Sequence, residues 1–413
     1  MHVFKSGTSI QIDKCQICSS DKLELILDLG YLPPVNNFYN LKHTFKEENF
    51  YPTQLLKCAV CELVQLSTVV DSEILFPKEY PYTSSTTKIL RENFKDLYID
   101  CNQLCDFKLN DLIIDIGSND GNLLSNFMSH KVLGVTPEEI GKIAIERGIP
   151  TIIDYFTEEV ASQIIKDYGK ATCVTATNVF AHIEDPKSVM ENILKILDQK
   201  GIFATECHYL DSLIETLQYD TIYHEHLRYY SLQALKYLFD SFDLEIVFAK
   251  KIPTHGGSIR VLVSRKGNYK INSNVKIILD SEKENMNKKK LTHFSLRVKE
   301  NKIDLLNLIT NLKKNNKKIF GVSAPSRSST LINYCGLDEN MIENILEIEG
   351  SHKIGKFLPG TKIPVVNEKI LFENQPDYLL LFSWHIKDDL IYILRNKGFK
   401  GKFIVPLPIP AIL

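Results

Sequence analysis

The segment Leu112-Ile113-Ile114-Asp115-Ile116-Gly117-Ser118-Asn119-Asp120-Gly121 joins an apolar run to a turn that contains two glycines. The run predicts a buried strand, because aliphatic residues follow one another with little polar alternation. Glycines in the turn let the backbone approach a bound molecule closely. We therefore predict a strand, a ligand-binding loop and a following helix here. A tight turn that binds nothing is the alternative.

Apolar runs recur downstream at intervals that leave room for helices between them. These runs cover residues 132–135, 151–153, 171–176 and 201–206. A helix is expected over residues 137–147, with Thr136 as its N-cap and Glu139 completing a capping box. Strands that alternate with helices predict a parallel, doubly wound α/β sheet, whose ligands bind beyond the carboxyl ends of the strands.

A second alternation of strands and helices begins at residue 318, after a Lys-, Asn- and Glu-rich stretch over about residues 270–315. The charged stretch predicts solvated helices that connect two units. The second alternation predicts another Rossmann-like sheet. A chain of 413 residues has the length of two or three domains, which agrees with this division.

Two Cys-x-x-Cys pairs stand near the start of the chain, Cys15 with Cys18 and Cys58 with Cys61. Four thiolates at this spacing suit tetrahedral zinc, and they leave no open position for chemistry at the metal. We therefore predict a structural zinc site, with two unrelated reduced pairs as the alternative. The other five cysteines are scattered, and no disulfide framework is expected.

The charge balance argues against nucleic-acid and membrane partners. The chain carries 49 basic and 51 acidic residues, a net charge of -2, which gives no long-range attraction for polyanions. No apolar run reaches the roughly 20 residues that span a bilayer. The first residues lack a secretory hydrophobic region, so a cytoplasmic protein is expected.

Residues 219–231 hold an unusual concentration of titratable side chains, with two histidines, two acids and four tyrosines. Histidine titrates near neutral pH and is the usual general base in catalysis. His224 and His226 are two residues apart and do not share a helix face, which disfavours a metal site. The segment predicts a catalytic base, with a structural polar network as the alternative.

Further polar candidates lie after other predicted strands or turns. Asn178 and His182 follow the fourth strand, where they are candidates for ligand contacts or for helix caps. His255 and Arg260 flank a Gly-Gly turn and could bind a phosphate or a sugar hydroxyl, unless the segment is only a turn into an edge strand. Arg327 could bind a phosphate through two parallel hydrogen bonds.

In this order, the motifs resemble those of the zinc-containing, S-adenosylmethionine-dependent sugar C-methyltransferases of deoxysugar biosynthesis. The resemblance extends over nearly the whole chain. It is carried by the four cysteines and by residues 80–85, 115–121, 178–182, 223–226, 255–260, 321–334 and 378–384.

The resemblance implies a class I methyltransferase, Rossmann-like parallel sheet with a small zinc-binding domain before it and a second Rossmann-like domain after it. The expected boundaries are 1–75, 76–265 and 266–413. The implied cofactors are S-adenosylmethionine and structural Zn²⁺. The implied substrate is a nucleotide-linked keto sugar that is methylated at a carbon next to the ketone, and a monomer or weak homodimer is expected.

The resemblance also assigns roles to residues of this chain. The implied catalytic residues are His226 as the base, with Tyr223, Glu225 and Tyr82, or less readily Tyr80 in place of Tyr82. The implied cofactor-binding residues are Asp115, Gly117, Ser118, Asn119, Gly121, Asn178 and His182. The implied substrate-binding residues are His224, His255, Arg260, Arg327 and Asn333.

Two positions depart from the family pattern. Thr136 stands where an acid is expected to hold the ribose of the cofactor, and Glu138 is a candidate substitute. Residues 323–328 differ from the expected Gly-Ala-Pro-Ala-Lys-like loop. These departures leave open an O- or N-methyltransferase, or another sugar-nucleotide-modifying enzyme with a divergent cofactor pocket. A zinc-dependent binding module without catalysis is the alternative from a different class.

Overall fold

The structure is a computed structural model that describes residues 9–42, 48–76 and 88–413. Its first part consists of short antiparallel strands around the four cysteines. The elements are β1 (Ser9–Gln11), β2 (Leu23–Leu32), β3 (Tyr39–Asn40), β4 (Tyr51–Cys58), β5 (Val64–Leu66), β6 (Thr68–Val70) and α1 (Ser72–Leu75). Strand β4 pairs with both β2 and β5, and β1 pairs with β6.

The middle of the chain forms a seven-stranded sheet. The elements of this part are α2 (Lys88–Cys105), β7 (Leu112–Ile116), β8 (Lys131–Thr136), α3 (Gly141–Glu146), β9 (Thr151–Ile153), α4 (Glu158–Tyr168), β10 (Ala171–Thr177), α5 (Pro186–Ile196), β11 (Leu197–His208), α6 (Leu210–Glu215), β12 (Arg228–Tyr229), α7 (Leu232–Asp240), β13 (Leu244–Ile252) and β14 (Ser258–Arg265). The strand order is β13-β14-β11-β10-β7-β8-β9. The last five strands in this order are parallel, and β14 and β13 continue the sheet antiparallel. This is the predicted class I methyltransferase sheet with an antiparallel extension.

Burial explains why the segment that starts at Leu112 forms the centre of this sheet. All five residues of β7 are buried, and apolar side chains pack against both faces of the strand. Helices α4 and α5 begin at side-chain caps, Thr157 and Asp185, and present apolar faces to the sheet.

The rest of the chain forms an eight-stranded sheet. Its elements are α8 (Ser273–Asn285), α9 (Lys288–Lys314), β15 (Ile319–Val322), α10 (Ser326–Cys335), β16 (Asn344–Glu347), β17 (Lys356–Phe357), β18 (Pro364–Asn367), α11 (Ile370–Glu373), β19 (Tyr378–Leu381), α12 (Lys387–Asn396), β20 (Lys402–Val405) and β21 (Ala411–Ile412). The order is β21-β20-β19-β15-β16-β18-β17-β3, with β20, β19, β15, β16 and β18 parallel. The direction of winding reverses between β15 and β19, which is where doubly wound sheets bind ligands.

Two strands pair outside their own part of the chain. Strand β3 closes one edge of the eight-stranded sheet, and β12 pairs with β5 beside the cysteines. The three parts are therefore interlocked. The predicted boundaries after residues 75 and 265 stay a prediction.

Two local predictions and one alternative were wrong. The helix expected over residues 137–147 begins at Gly141, and residues 137–140 form a turn, so Thr136 caps nothing. The helix expected after the glycine loop is one 3-10 turn, Leu124–Phe127. The alternative for the Gly-Gly segment, a turn into an edge strand, is also wrong, because the strand that follows is β14, which lies inside the sheet between β13 and β11. Within the described residues, the helices lack the combination of length and apolar content needed to cross a membrane.

Candidate metal centre and active site

The four cysteines converge on one point. All four Sγ atoms lie within 4.8 Å of one another, with Cys15 3.3 Å from Cys61 and Cys18 3.5 Å from Cys58. Zinc–sulfur bonds of about 2.3 Å in a tetrahedron place neighbouring sulfurs about 3.8 Å apart. The cluster therefore has the size and the donor set of a structural zinc site.

The loop after β7 depends on its glycines. Gly117 and Gly121 have φ angles of +75° and +77°, which residues other than glycine rarely adopt. A Cβ atom at Gly117 would lie 2.5 Å from a methyl group of Val179, in the loop after β10. The two loops therefore meet at the carboxyl edge of the sheet only because residue 117 has no side chain.

Glu138 is the acid that reaches this loop. Its carboxylate accepts a hydrogen bond from the Asn119 amide at 3.2 Å, and burial raises the pKa of Glu138. Thr136 is buried at the end of β8. Because α3 begins only at Gly141, the preceding turn is free to aim Glu138 at the loop after β7.

Asp115 and Ser118 lie beneath the loop. The Asp115 carboxylate is buried and accepts a hydrogen bond from Thr175 Oγ1 at 2.6 Å, and burial raises the pKa of Asp115 to about 7. The Ser118 side chain lies over Gly134 of β8, because a Cβ atom there would be 2.5 Å from Ser118 Oγ. Their predicted cofactor contacts stay predictions, as does that of Asn178.

His226 is held as a neutral base. Its Nδ1 atom lies 3.0 Å from the Thr221 carbonyl oxygen, which can only accept, so Nδ1 carries the hydrogen. The lone pair of Nε2 then accepts a hydrogen bond from the Tyr223 hydroxyl, whose oxygen lies 3.3 Å from Nε2. Burial, followed by the nearby rings of His182 and His208, lowers the pKa of His226 well below its usual value. The imidazole therefore presents an unprotonated nitrogen at neutral pH.

Other histidines surround this ring. The ring centroids of His182 and His208 lie 5.0 and 5.9 Å from that of His226, and His255 lies 6.4 Å from His208. Each of these three side chains has one buried ring nitrogen without a hydrogen-bond partner among the described residues, namely His182 Nδ1, His208 Nδ1 and His255 Nε2. Each of these buried nitrogens is able to bind a polar ligand group or a water molecule.

Arg327 brings a positive charge to the same region from the first turn of α10. Its Nη2 donates to the carbonyl oxygen of His255 and to the side chain of Gln218. Its Nη1 has no hydrogen-bond partner in the described chain and lies 3.7 Å from the Asp220 carboxylate, which also accepts from Trp384 Nε1 at 2.8 Å. Residues after β15 and after β19 thus meet the segment that contains His226.

The neighbours of His226 in sequence contact the first part of the chain. The Glu225 carboxylate accepts a hydrogen bond from the Asn36 amide at 2.8 Å, and this amide also contacts Ser326 Oγ at 3.1 Å. His224 points the other way, with Nε2 3.2 Å from the Pro52 carbonyl oxygen. The substrate contact predicted for His224 stays a prediction.

The structure gives Arg260 a different role from the predicted one. Its guanidinium has five N–H groups, and all are used inside the protein, by Glu206, Asp96, Asp100 and both oxygens of Asn93. The side chain is fully buried. The prediction that Arg260 binds substrate is therefore wrong, because no donor is left for a ligand.

Another predicted substrate-binding residue, Asn333, makes its side-chain hydrogen bonds outside this cluster of groups. The Asn333 amide donates to the carbonyl oxygens of Ser329 and Pro359 near the end of α10, and its substrate role stays a prediction. Tyr82 and Tyr80 lie outside the described residues.

Comparison with known proteins identifies the family. Three family models match in order: a zinc binding domain over residues 15–76, a methyltransferase domain over 95–248 and a C-methyltransferase C-terminal domain over 253–408. The C-methyltransferase NovU from Streptomyces niveus is 30% identical over 411 residues, which cover 97% of each chain. This chain belongs to the C-methyltransferase family.

Solved methyltransferases of the same fold are distant from this C-methyltransferase. One from Anabaena variabilis is 16% identical with a TM-score of 0.33 and covers 42% of this chain and 84% of that chain. One from Clostridium acetobutylicum is 15% identical with a TM-score of 0.34 and covers 44% and 94%. The fold of this chain follows from its own strand order.

Both cofactors of the C-methyltransferase fit the sites described. S-adenosylmethionine fits the carboxyl edge after β7 and β8, where the Asn119–Glu138 pair lies and where the buried Asn122 Nδ2 has no partner among the described residues. Zinc fits the four thiolates. When bound, zinc fixes the loops that carry its ligands and supplies no reactive position.

Sequence patterns missed several residues of this C-methyltransferase site. His208, Asn36 and Trp384 were not among the predicted site residues. His208 carried a usable signal, because it lies two residues after the strand predicted over residues 201–206, near the carboxyl edge of the sheet. Asn36 carried none, because nothing in the local sequence indicates its contact with Glu225.

Proposed function

We propose that this methyltransferase acts on a nucleotide-linked keto sugar and methylates a carbon atom next to the ketone, with His226 as the base. The observation that carries the proposal is the state of His226, whose Nδ1–H is fixed by the Thr221 carbonyl and whose Nε2 lone pair is free of a proton. A carbon nucleophile has to be made by removing a weakly acidic proton, and a positioned imidazole serves this step.

The chemistry follows from the groups around this nitrogen. The C–H bond next to the ketone breaks, its proton goes to His226 Nε2, and the electron pair is delocalised onto the ketone oxygen as an enolate. The Tyr223 hydroxyl, 3.3 Å from Nε2 in the described state, is a donor for that oxygen. When bound, S-adenosylmethionine supplies a methyl group on a sulfonium, whose S–C bond breaks as the new C–C bond forms.

The nucleotide-linked nature of the substrate is supported by Arg327. Its Nη1 faces the Asp220 carboxylate at 3.7 Å but has no hydrogen-bond partner among the described residues, and Arg327 lies near the crevice between β15 and β19, in the first turn of a ten-residue helix. Helix N-termini and arginine forks both favour phosphate oxygens. We assign the diphosphate of the substrate to this crevice and the keto sugar to the space beside His226.

The experiment that tests the function uses dTDP-4-keto-6-deoxyglucose, S-adenosylmethionine and the purified protein. We expect a product heavier by one methyl group, with an NMR signal of a methyl bound to carbon. With S-adenosylhomocysteine in D₂O, we expect deuterium to enter the sugar next to the ketone without methylation. A methoxy or N-methyl signal would contradict the proposed C-methylation and would identify the enzyme as an O- or N-methyltransferase.

Glu138 is expected to supply the carboxylate that Thr136 does not. The Glu138→Gln variant should bind S-adenosylhomocysteine about 10- to 100-fold more weakly, because a charge-assisted hydrogen bond to a ligand hydroxyl is replaced by a neutral one. Calorimetric titration measures this. Glu139→Gln is the matched control, because Glu139 is exposed and pairs with Lys142 on the surface. Equal affinities for both variants would exclude Glu138 from cofactor binding.

A further inference from the structure

We propose that His208 is a second substrate-binding imidazole of this site, whose Nδ1 atom accepts a hydrogen bond from a sugar hydroxyl close to the carbon that His226 deprotonates. The inference rests on the proposed function, and it adds a residue and a required substrate feature to it. His208 is the last residue of β11, so its side chain stands at the carboxyl edge of the sheet, where ligands of doubly wound sheets bind.

The protonation state of His208 is fixed by a neighbouring backbone group. Its Nε2 atom lies 2.9 Å from the carbonyl oxygen of His255, which can only accept, so Nε2 carries the hydrogen and Nδ1 carries the lone pair. Burial, followed by the charge of Arg327, lowers the pKa of His208 to about 3. At neutral pH, His208 Nδ1 is therefore an acceptor and nothing else.

That acceptor is buried and has no hydrogen-bond partner among the described residues. A buried polar atom without a partner is destabilising, so a ligand group or a water molecule is expected to satisfy it. The ring lies 5.9 Å from His226, measured between centroids, so a ligand group that satisfies Nδ1 is close to the proposed base.

The carbonyl group that orients His208 is itself unusually placed. His255 has φ +56° and ψ +21°, a left-handed conformation that is uncommon for residues other than glycine. This conformation aims its carbonyl oxygen at both His208 Nε2 and Arg327 Nη2. One strained residue therefore orients a neutral acceptor and a cation in the same site.

The chemistry of these groups selects a class of substrate. His182 also presents a buried Nδ1 without a partner in the described chain, and burial lowers the pKa of His182 to about 4, so its ring is neutral at pH 7. Neutral lone-pair acceptors around a base suit hydroxyl donors on the carbons near the ketone. A keto sugar that lacks the matching hydroxyl leaves an acceptor unpaired and is disfavoured.

Two substitutions separate this role from a purely structural one. In His208→Gln, the amide reaches the position of Nε2, so the bond to the His255 carbonyl is retained and the acceptor at Nδ1 is lost. In His208→Asn, the amide oxygen replaces Nδ1, so the acceptor is retained and the bond to His255 is lost. A structural role predicts that the Asn variant is the poorer enzyme, and our proposal predicts the opposite order.

The experiment measures kcat/KM of both variants with dTDP-4-keto-6-deoxyglucose and with its 2-deoxy and 3-deoxy analogues. We expect His208→Gln to lose about 10- to 100-fold on the fully hydroxylated sugar, and to lose almost nothing on the analogue that lacks the bound hydroxyl. Affinity for S-adenosylhomocysteine should equal that of the unmodified enzyme. This binding shows that the cofactor site remains folded.

Each other outcome contradicts the inference in a distinguishable way. An equal loss on all three sugars, or an Asn variant poorer than the Gln variant, overturns the role of His208 and leaves the proposed function standing. If the unmodified enzyme neither methylates these sugars nor exchanges their protons in D₂O, the proposed function fails and the inference fails with it.

Discussion

Replacing His226 with glutamine is expected to reduce turnover by about 10³-fold, within the range of 10²–10⁴ that general-base catalysis contributes. The glutamine amide can occupy the position of Nε2, but it cannot take a proton. Affinity for S-adenosylhomocysteine should stay within about threefold of the unmodified enzyme, because the Asn119–Glu138 pair follows other strands. Steady-state kinetics and calorimetry measure the two quantities.

The pH profile provides a second measure of the same assignment. Burial and the neighbouring rings lower the pKa of His226 well below its ordinary value, so the base stays unprotonated as the pH falls through the usual histidine range. We therefore expect kcat/KM to show no acid limb near pH 6.5, the unperturbed histidine value. An acid limb there would mean that the base titrates normally and has a different environment.

The control for this substitution is His293→Gln, which changes an exposed histidine on α9. It should leave kinetics and binding unchanged. Full deuterium exchange into the substrate by His226→Gln would assign proton removal to another residue. Loss of S-adenosylhomocysteine binding together with turnover would indicate a folding defect. The His226→Asn variant would then separate the effect of misfolding from the effect of losing the base.

Periodic and spaced patterns predicted much of this structure. The parallel strands and the convergence of four cysteines both follow from features that lie close together in the sequence. Such features are determined locally, by side-chain periodicity and by metal-ligand spacing. The approach of Tyr223 to His226 is likewise a local contact, because three residues separate them.

Contacts between segments that are distant in the chain were not predicted from the sequence. Arg260 beside a Gly-Gly turn has the appearance of a ligand-binding residue, yet its partners Asp96 and Asp100 lie 164 and 160 residues away along the chain. The Asn36–Glu225 contact joins residues that are 189 positions apart. A single sequence does not indicate which buried acid meets which cation.

The capping box at Thr136 shows how tertiary contacts override local preference. Its residues favour a helix that begins at Pro137. In the structure, the contact between Glu138 and Asn119 accompanies a turn over residues 137–140, and the helix starts at Gly141. One helical turn is lost where the Glu138 carboxylate reaches the carboxyl edge of the sheet, so the failed prediction coincides with the position that we propose to bind the cofactor.

The zinc site is connected to the active site through hydrogen bonds. Gln65 is fully buried, and its side chain bonds to the backbone of Lys14 and Gln16, which flank Cys15. The backbone of Gln65 pairs with Arg228, two residues after His226. One layer of hydrogen bonds therefore separates the metal-binding loop from the strand that follows His226.

Arg228 extends this connection to the other side of the active site. Its buried guanidinium donates to the carbonyl oxygens of Ile183 and Glu184, directly after His182. The Leu227 amide donates to the Ala181 carbonyl oxygen at 2.8 Å. The segments of His226 and His182 are thus held together by residues whose strand pairs with the zinc-containing part.

Removing the metal is accordingly expected to disable catalysis without emptying the cofactor site. Cys61→Ser should lose bound zinc and reduce turnover by at least about 100-fold, because structural zinc supplies much of the folding free energy of small metal domains. Hydrogen–deuterium exchange should increase over residues 223–229 and stay unchanged over residues 112–122. Affinity for S-adenosylhomocysteine should change by less than about threefold.

Cys105→Ser is the matched control, because Cys105 lies at the end of α2, outside the metal cluster. It should retain zinc, turnover and the exchange pattern. A Cys61→Ser enzyme that loses zinc but keeps full turnover would show that the hydrogen bonds of Gln65 and Arg228 hold the active site without the metal. Parallel loss of zinc, turnover and cofactor binding would instead show that the metal supports the whole fold, and the coupling would then not be specific to the segment of His226.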